Sequence, residues 1–570
     1  MAKPIAVQSS TRRLRGITQI GWFRITITLI ALTLITLALT ANLTRFPAIW
    51  FDEGSHLHVP KTLVRFGIYA DYSSEGFRFY GPTVGVGPTV MLPLAAAFAV
   101  FGAGLLQARL VMVLFLALSL LVFYMLARQL GSRRYAWVAI ALLLTSESVS
   151  IIEYGRQVLG EVPALCFLLL GLWMWHPLFS ASLRPTISNP NRLQRIAPHS
   201  LWVASLCFGL AAITKQQFFL VLLPTLVIVW LTNLIFFRTL PNRLFILPAA
   251  ITLLCYLLWQ IWTVLYLGPS NAQENLNLLR EATAGAALVF SPNAMLRAIK
   301  DLLSERTYAH LLFPALLYAG LVFFTNVRRN ASSEAPTTTP ADTASSQTKV
   351  VQHIQFWLVL ITFIAINLLW YVFASIGWVR YAFPALVLAA LFVARFLHDL
   401  TDGFVLPWPV LREGQTIRLT PTELPPNWQK PLFHWMVLLW MITMIVVNGI
   451  ALGRQIASPP PPDAVDIAAY LNANIPLTAP IETWEPEMGF LTNHTYHYPP
   501  NSLLPKAVAY KWISGPAPAT TYAFMQPNPP EYVLVGVFSR WVEVYPIEIL
   551  EQHYKLVTTI GAYHLYQKVN

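Results

Sequence analysis

The sequence predicts an all-α polytopic membrane protein of about eleven transmembrane helices plus interfacial helices, followed by a small extracytoplasmic α/β domain at the C-terminal end. Three observations predict it. Of 570 residues, 56% are hydrophobic and 11% charged, against about a quarter charged in soluble domains. Apolar runs near the length of about 20 residues that a helix needs to cross a bilayer recur along the chain. Beyond residue 453 the composition turns polar enough for a water-exposed domain.

The expected spans centre on 22–42, 106–128, 135–152, 162–178, 201–214, 217–237, 244–267, 309–327, 354–376, 381–400 and 433–452. The first run is too long for the core of a cleavable signal and has no small-residue cleavage site behind it, so it reads as a retained span. Residues 88–101 are also apolar, but the run is short and carries Pro93 in its middle. It is expected to lie along the interface.

Charge supports this threading, because cytoplasmic loops carry the excess of Lys and Arg. With the N-terminus inside, 20 of the 38 basic residues but only 6 of the 26 acidic ones fall inside, including the clusters around Arg133, Arg184 and Arg238. Counting 88–101 as a span would turn those clusters outward. The formal charge of +12 therefore reads as membrane orientation, and no nucleic-acid partner is expected. Cys166, Cys207 and Cys255 all sit in apolar stretches, which excludes a disulfide framework and metal-type cysteine spacing.

This divides the chain into a membrane domain, 1–452, and a C-terminal extracytoplasmic domain, 453–570, beyond the proline run 459–462. Two inside loops, 328–351 and 401–431, have linker composition. Two outside segments are long: 43–106, with helical continuation at 59–66, and 268–308, which has helical periodicity and several basic residues. In the C-terminal domain, 464–474 has helical periodicity, and 532–537 and 556–567 read as strands.

The candidate chemistry lies on the outer side. Asp52 and Glu53 follow the first span directly, behind Trp50 and Phe51. Two readings stay open for them. Acidic residues favour the first turn of a helix, and a carboxylate facing a partly dry cleft can be kept basic enough to deprotonate a hydroxyl. Glu161 opens the fourth span after Arg156, and it too is either a charge on a helix N-terminus or a functional ionisable group. Lys215 and Arg380-Tyr381 stand at the same membrane level. Each cation could merely snorkel, but together they make a phosphate-binding set. No cofactor is expected to be required. Glu53 with His56 and His58 leaves a divalent cation as an alternative, although three ligands on one short segment define a metal site weakly.

These residues, in this order, resemble the GT-C glycosyltransferases, in particular bacterial aminoarabinose transferases and protein O-mannosyltransferases. The acidic pair after the first span matches Asp52 and Glu53, and interfacial helices follow it. An acid before the fourth span, after an Arg, matches Glu161 and Arg156. A Thr-Lys pair matches Thr214-Lys215, and a later signature matches Arg380-Tyr381 with Pro384. Gly87-Pro88 stands where those proteins often carry Lys-Pro, and Glu161 where they commonly carry Asp. The resemblance implies transfer of a sugar from a polyprenyl-phosphate donor to a lipid, glycan or protein acceptor at the outer face of the plasma membrane, with inversion. It implies Asp52 as base or acceptor-orienting carboxylate, Glu53 and Glu161 as supporting acids, and Arg156, Lys215, Arg380 and Tyr381 at the donor phosphate.

The competing class is a secondary transporter or lipid flippase, which places ionisable groups near the midplane and often repeats its halves. Here the acids fall near span ends and no internal repeat is evident. A polymerase of lipid-linked glycans would share the donor and the charge pattern. A scaffold without activity would leave the paired clusters unexplained.

Overall fold

The computed structural model describes residues 25–26, 28–78, 86–147, 149–181, 190–238, 240–282, 288–304, 309–332, 340–405 and 429–569. The basic N-terminal segment and most of the linker at 401–431 lie outside them, as does Arg184. The membrane part runs α1 (Thr28–Thr40), α2 (Phe51–Phe66), the hairpin β1 (Asp71–Ser73) and β2 (Gly76–Arg78), α3 (Pro88–Phe101), α4 (Leu105–Leu130), α5 (Arg133–Thr145), α6 (Ile151–Arg156), α7 (Glu161–Ala181) and α8 (Pro190–Thr214). It continues with α9 (Gln216–Thr232), α10 (Arg243–Ala282), α11 (Pro292–Ser304), α12 (Ala309–Ser332), α13 (Pro340–Ala374), α14 (Phe383–Leu400) and α15 (Gln429–Ala457).

Seven described helices are long and apolar enough to cross a membrane: α4, α7, α9, α10, α13, α14 and α15. The helices at Thr28–Thr40, His199–Thr214 and Leu311–Val322 are apolar but shorter. The expected count of eleven is therefore not reached among the described residues, and one expected span is interrupted. Over 135–152 the helix α5 stops at Thr145 after 13 residues, about 20 Å, because a serine-rich turn follows and Ser150 takes a left-handed φ of 44°. The helix α14 lies at the centre, with every residue from Phe383 to Ala394 buried, as an apolar helix packed on all sides must be. As expected, 88–101 forms a short helix of its own, α3. The long segment 268–308 begins as a continuation of α10 and then forms α11, which buries Ala294, Ala298 and Leu302, one stripe at a spacing of four.

The C-terminal domain contains α16 (Asp463–Asn474), β3 (Ile481–Thr483), α17 (Pro486–Leu491), β4 (Tyr496–His497), α18 (Leu503–Ile513), β5 (Tyr532–Val535), α19 (Val537–Trp541), α20 (Ile547–His553), β6 (Tyr554–Ile560) and β7 (Tyr563–Lys568). Its sheet has the order β4-β3-β5-β7-β6, parallel among the first three strands and antiparallel among the last three. The stretch 556–567, expected as one strand, is two. Gly561 turns the chain between them at φ 53°, and the period-2 pattern alone carries no sign of that reversal.

This domain shares a core with the short helices of segment 43–106. Leu57 and Val59 of α2 and Val90, Leu94 and Phe98 of α3 are buried in one cluster with Ile467, Leu471, Met488 and Phe490. Phe98 stacks on Phe490 with centroids 5.8 Å apart; burying each such ring contributes about 1.5–3 kcal/mol. Backbones meet closely where a Cβ on Gly54 would lie 2.3 Å from the Glu487 nitrogen. The Lys61 Nζ donates to the carbonyls of Gly489, Phe490 and Thr492 at 2.9, 2.9 and 2.5 Å, and its burial lowers its pKa to about 8.

Two carboxyls lie inside this seam. Glu485 accepts from the backbone N–H groups of Phe538 and Ser539 and from the Ser539 hydroxyl, and Glu487 accepts from the Tyr563 hydroxyl at 2.8 Å. Burial, and then the neighbouring Glu485, push Glu487 well above the ordinary carboxylate range. The folded state therefore holds a proton that the unfolded chain releases, and stability should fall as pH rises from the unfolded Glu value, about 4.3, towards the raised folded one. Glu487→Gln should flatten that slope and raise the unfolding midpoint at neutral pH, as read by thermal unfolding in detergent across a pH series.

Candidate active site

Asp52 and Glu53 occupy the first turn of α2, after an extended Trp50 at the cap. Neighbouring residues on a helix diverge by about 100°, so the two carboxylates face different partners. Asp52 turns to Arg380, whose Nη1 donates to its Oδ2 at 2.7 Å. Glu53 turns inward to Arg109 of α4, which holds it with two bonds of 2.9 and 2.5 Å. Arg109 also donates to the Leu43 carbonyl, and the Val158 N–H donates to Glu53. Both side chains of that pair are wholly buried.

The second pair forms where three chain segments converge. Glu161 opens α7, a position that a helix N-terminus favours for an anion. Lys215 is the extended cap of α9, and its Nζ lies 3.1 Å from Glu161 Oε1. Arg380 lies in a 3-10 turn, Val379–Ala382, leading into α14, and its Nε lies 2.9 Å from the same Glu161 oxygen. Asn367 of α13 fastens this turn, donating to the Tyr381 carbonyl and accepting from the Ala385 N–H. Arg380 thus bridges Asp52 and Glu161. The side chain of Asp52 is 23% exposed and that of Glu161 is fully buried. Asp52 is consequently the carboxylate a ligand can reach, whereas Glu161 acts on the two cations.

Not every candidate joins the set. Arg156 is buried and donates to the carbonyls of Ala38 and Ala41 at the end of α1, with its guanidinium over the Phe46 ring. It caps α1 rather than facing the Lys215–Arg380 pair. Glu53 likewise ties α2 to α4 and lies apart from Asp52. Tyr381 is half-buried against Trp370 and Trp378. His56 contacts the Val158 carbonyl at 2.8 Å, and burial, followed by Lys215, lowers its pKa to about 4. His58 packs at Gly489 and Tyr498, and burial, followed by Lys61, lowers its pKa to about 3. Both rings are neutral at physiological pH. Among the described residues, no group of three or more His, Cys, Asp or Glu side chains is placed to hold a metal ion. Sequence reasoning missed Arg109, although the signal was present: it is the single charge between Leu105 and Ala127, and a charge inside a span needs a partner.

Where α3 starts against the end of α8, the chain forms an apolar groove. Gly87 donates its N–H to the Thr214 carbonyl at 3.0 Å, and Thr89 and Thr214 share a 2.6 Å hydroxyl contact. A Cβ on Gly87 would lie 1.8 Å from the Ile213 oxygen, so only glycine allows α3 to start here. Flanking this junction is a cavity of about 620 Å³ lined by Pro88, Leu92, Ile213, Leu258, Trp259 and Trp262, among others. Its wall is almost wholly apolar, and Ile213 lies two residues from Lys215.

Comparison of the sequence with protein-family models and with curated proteins gives no match. The fold is that of the GT-C glycosyltransferases. It superposes on ArnT from Cupriavidus metallidurans bound to undecaprenyl phosphate with a TM-score of 0.55 and 14% identity, covering 96% of this chain and 98% of that one. Against the archaeal oligosaccharyltransferase AglB from Archaeoglobus fulgidus, in complex with an inhibitory peptide and a dolichol-phosphate, the TM-score is 0.53 at 11% identity, covering 96% of this chain and 74% of that one. At such identities the likeness concerns the fold.

Proposed function

We propose that this protein is a membrane glycosyltransferase that moves a sugar from a polyprenyl-phosphate donor to a lipid, glycan or protein acceptor on the outer face of the plasma membrane, its N-terminus being cytoplasmic. The observation that carries the reading is the joining of Asp52, Glu161, Lys215 and Arg380, with an apolar groove that reaches Ile213, two residues from Lys215. A long isoprenoid matches the groove, and its phosphate would then meet Lys215 and Arg380. A phosphate leaves without a general acid when preorganised cations stabilise the developing charge. Asp52 would take the proton of the acceptor hydroxyl, giving a single displacement with inversion at the sugar carbon. As proposed, the transfer uses no cofactor, because the two cations supply the charge that the leaving group requires.

The test is release of carrier phosphate by the purified protein from a panel of polyprenyl-phosphate sugars, with and without acceptor lipids. Turnover with at least one donor is expected; inertness with every donor in folded protein would overturn the reading. Lys215→Ala should raise the donor KM, since a charge-assisted hydrogen bond is worth about 1.5–3 kcal/mol, or roughly 10–150-fold. An unchanged donor KM would remove Lys215 from the phosphate site.

A further inference from the structure

The first turn of α2, which carries Asp52, is tied to the C-terminal domain directly through Phe51 and indirectly through Trp50 and Trp378. Phe51 and Trp50 are the two residues that precede Asp52. Phe51 stacks on Phe538 of α19 with centroids 3.7 Å apart. Trp50 meets Trp378 edge-on at 5.9 Å, and Trp378 stacks on Trp512 of α18 at 5.7 Å and 29°. A cation flanks each indole of this pair. The guanidinium of Arg380 lies 4.2 Å from the Trp378 centroid, and that of Arg297, from α11, lies 5.0 Å from the Trp512 centroid. Arg297 also donates to the Trp512 carbonyl at 3.5 Å.

The result is a ladder in which an external helix, the C-terminal domain and the site are in series: Arg297, Trp512, Trp378, Arg380. Its last rung is the arginine that bridges Asp52 and Glu161. A guanidinium attracted to an aromatic face is constrained in position and tilt, and the bond to Asp52 depends on both. The turn carrying Trp378 is itself wedged against α11. Gly377 takes a φ of 74°, and a Cβ there would lie 2.7 Å from the Ala294 carbonyl oxygen.

We infer that Trp512 is a positioning residue for the Asp52–Arg380 pair, acting through Trp378, so that the C-terminal domain is a working part of the active site. This rests on the transferase reading for its kinetic consequence but not for its structural one. Trp512 has Trp378 and Arg297 as neighbours, and its effect on the reaction passes through Arg380.

Two measurements on the full-length protein test it. In amide hydrogen exchange, Trp512→Ala should speed exchange at 378–382 and 50–54 by tenfold or more, while 486–491 keep wild-type protection because the Lys61 anchor is untouched. No change at 378–382, or a rise across the whole C-terminal domain, would overturn the inference, the second by showing that Trp512 only docks the domain. In kinetics, Trp512→Ala should lower kcat by roughly 10–100-fold with donor KM within about twofold, since a misplacement of about 1 Å in a reacting geometry costs on the order of 100-fold. Trp512→Phe, which keeps an aromatic face, should restore most of kcat, and Ile547→Ala, an exposed residue of α20, should leave it unchanged. A rise in acceptor KM alone would make Trp512 an acceptor contact and refute the positioning role. If the wild type transfers nothing, the functional reading fails, and the exchange measurement still decides the ladder.

Discussion

Replacing Asp52 by Asn should lower turnover by about 100–10,000-fold, the range ascribed to a positioned general base, while the protein stays folded. The amide is nearly isosteric with the carboxylate and keeps an oxygen for Arg380 Nη1, which now lies 2.7 Å away, but it cannot accept the acceptor's proton. The charge at the first turn of α2 is lost as well, which costs up to about 2 kcal/mol at a partly buried helix end, while Arg380 keeps Glu161 as its counter-charge. Activity and stability should therefore separate. The measurement is carrier-phosphate release beside thermal unfolding of the same preparation. Full turnover in the variant would reduce Asp52 to a helix-capping charge.

The second large effect concerns stability. Arg109→Met should destabilise the protein by about 3–5 kcal/mol, because it strands a carboxylate in a buried site. That is a large fraction of the 5–15 kcal/mol that holds a typical fold together. Glu53→Gln should also cost several kcal/mol, leaving a buried guanidinium short of a counter-charge. The double variant should recover a substantial part of the loss, because each substitution removes the charge that the other leaves unpaired. A double-mutant cycle by chemical denaturation in detergent measures the coupling. Strict additivity would show that the contact between Glu53 and Arg109 carries no stability of its own.

The sequence disclosed whatever depends on neighbouring residues and concealed what depends on distant ones. Long helices such as α4, α9 and α13 were legible because an apolar run near 20 residues is a local property. The break after Thr145 was not, because Val149, Ile151 and Ile152 continue the apolar pattern beyond the serines. The hairpin of β6 and β7 was read as one strand because alternation continues on both sides of Gly561. In the site, Asp52, Glu161, Lys215 and Arg380 could be grouped since few ionisable residues stand at one level of a membrane. Their pairing could not be read, because Arg380 and Asp52 are 328 residues apart. Arg156 looked equivalent to the other cations in sequence, yet the carbonyls at the end of α1 claim it. Trp512 carried no signal, because the meaning of an aromatic residue in a polar domain depends on what it is folded against.

The anchor between Lys61 and Gly489 spans 428 residues, and this gives assembly a timetable. At a synthesis rate of about 5–20 residues per second, the segment that carries Asp52 waits roughly 20–90 s after leaving the ribosome before its C-terminal support exists. During that interval α1 and α4 can insert, but Phe51, Gly54 and Lys61 face no partner. The reactive end of the molecule is thus the last to be completed, and a chain truncated before α17 would be inserted in the membrane without a finished centre.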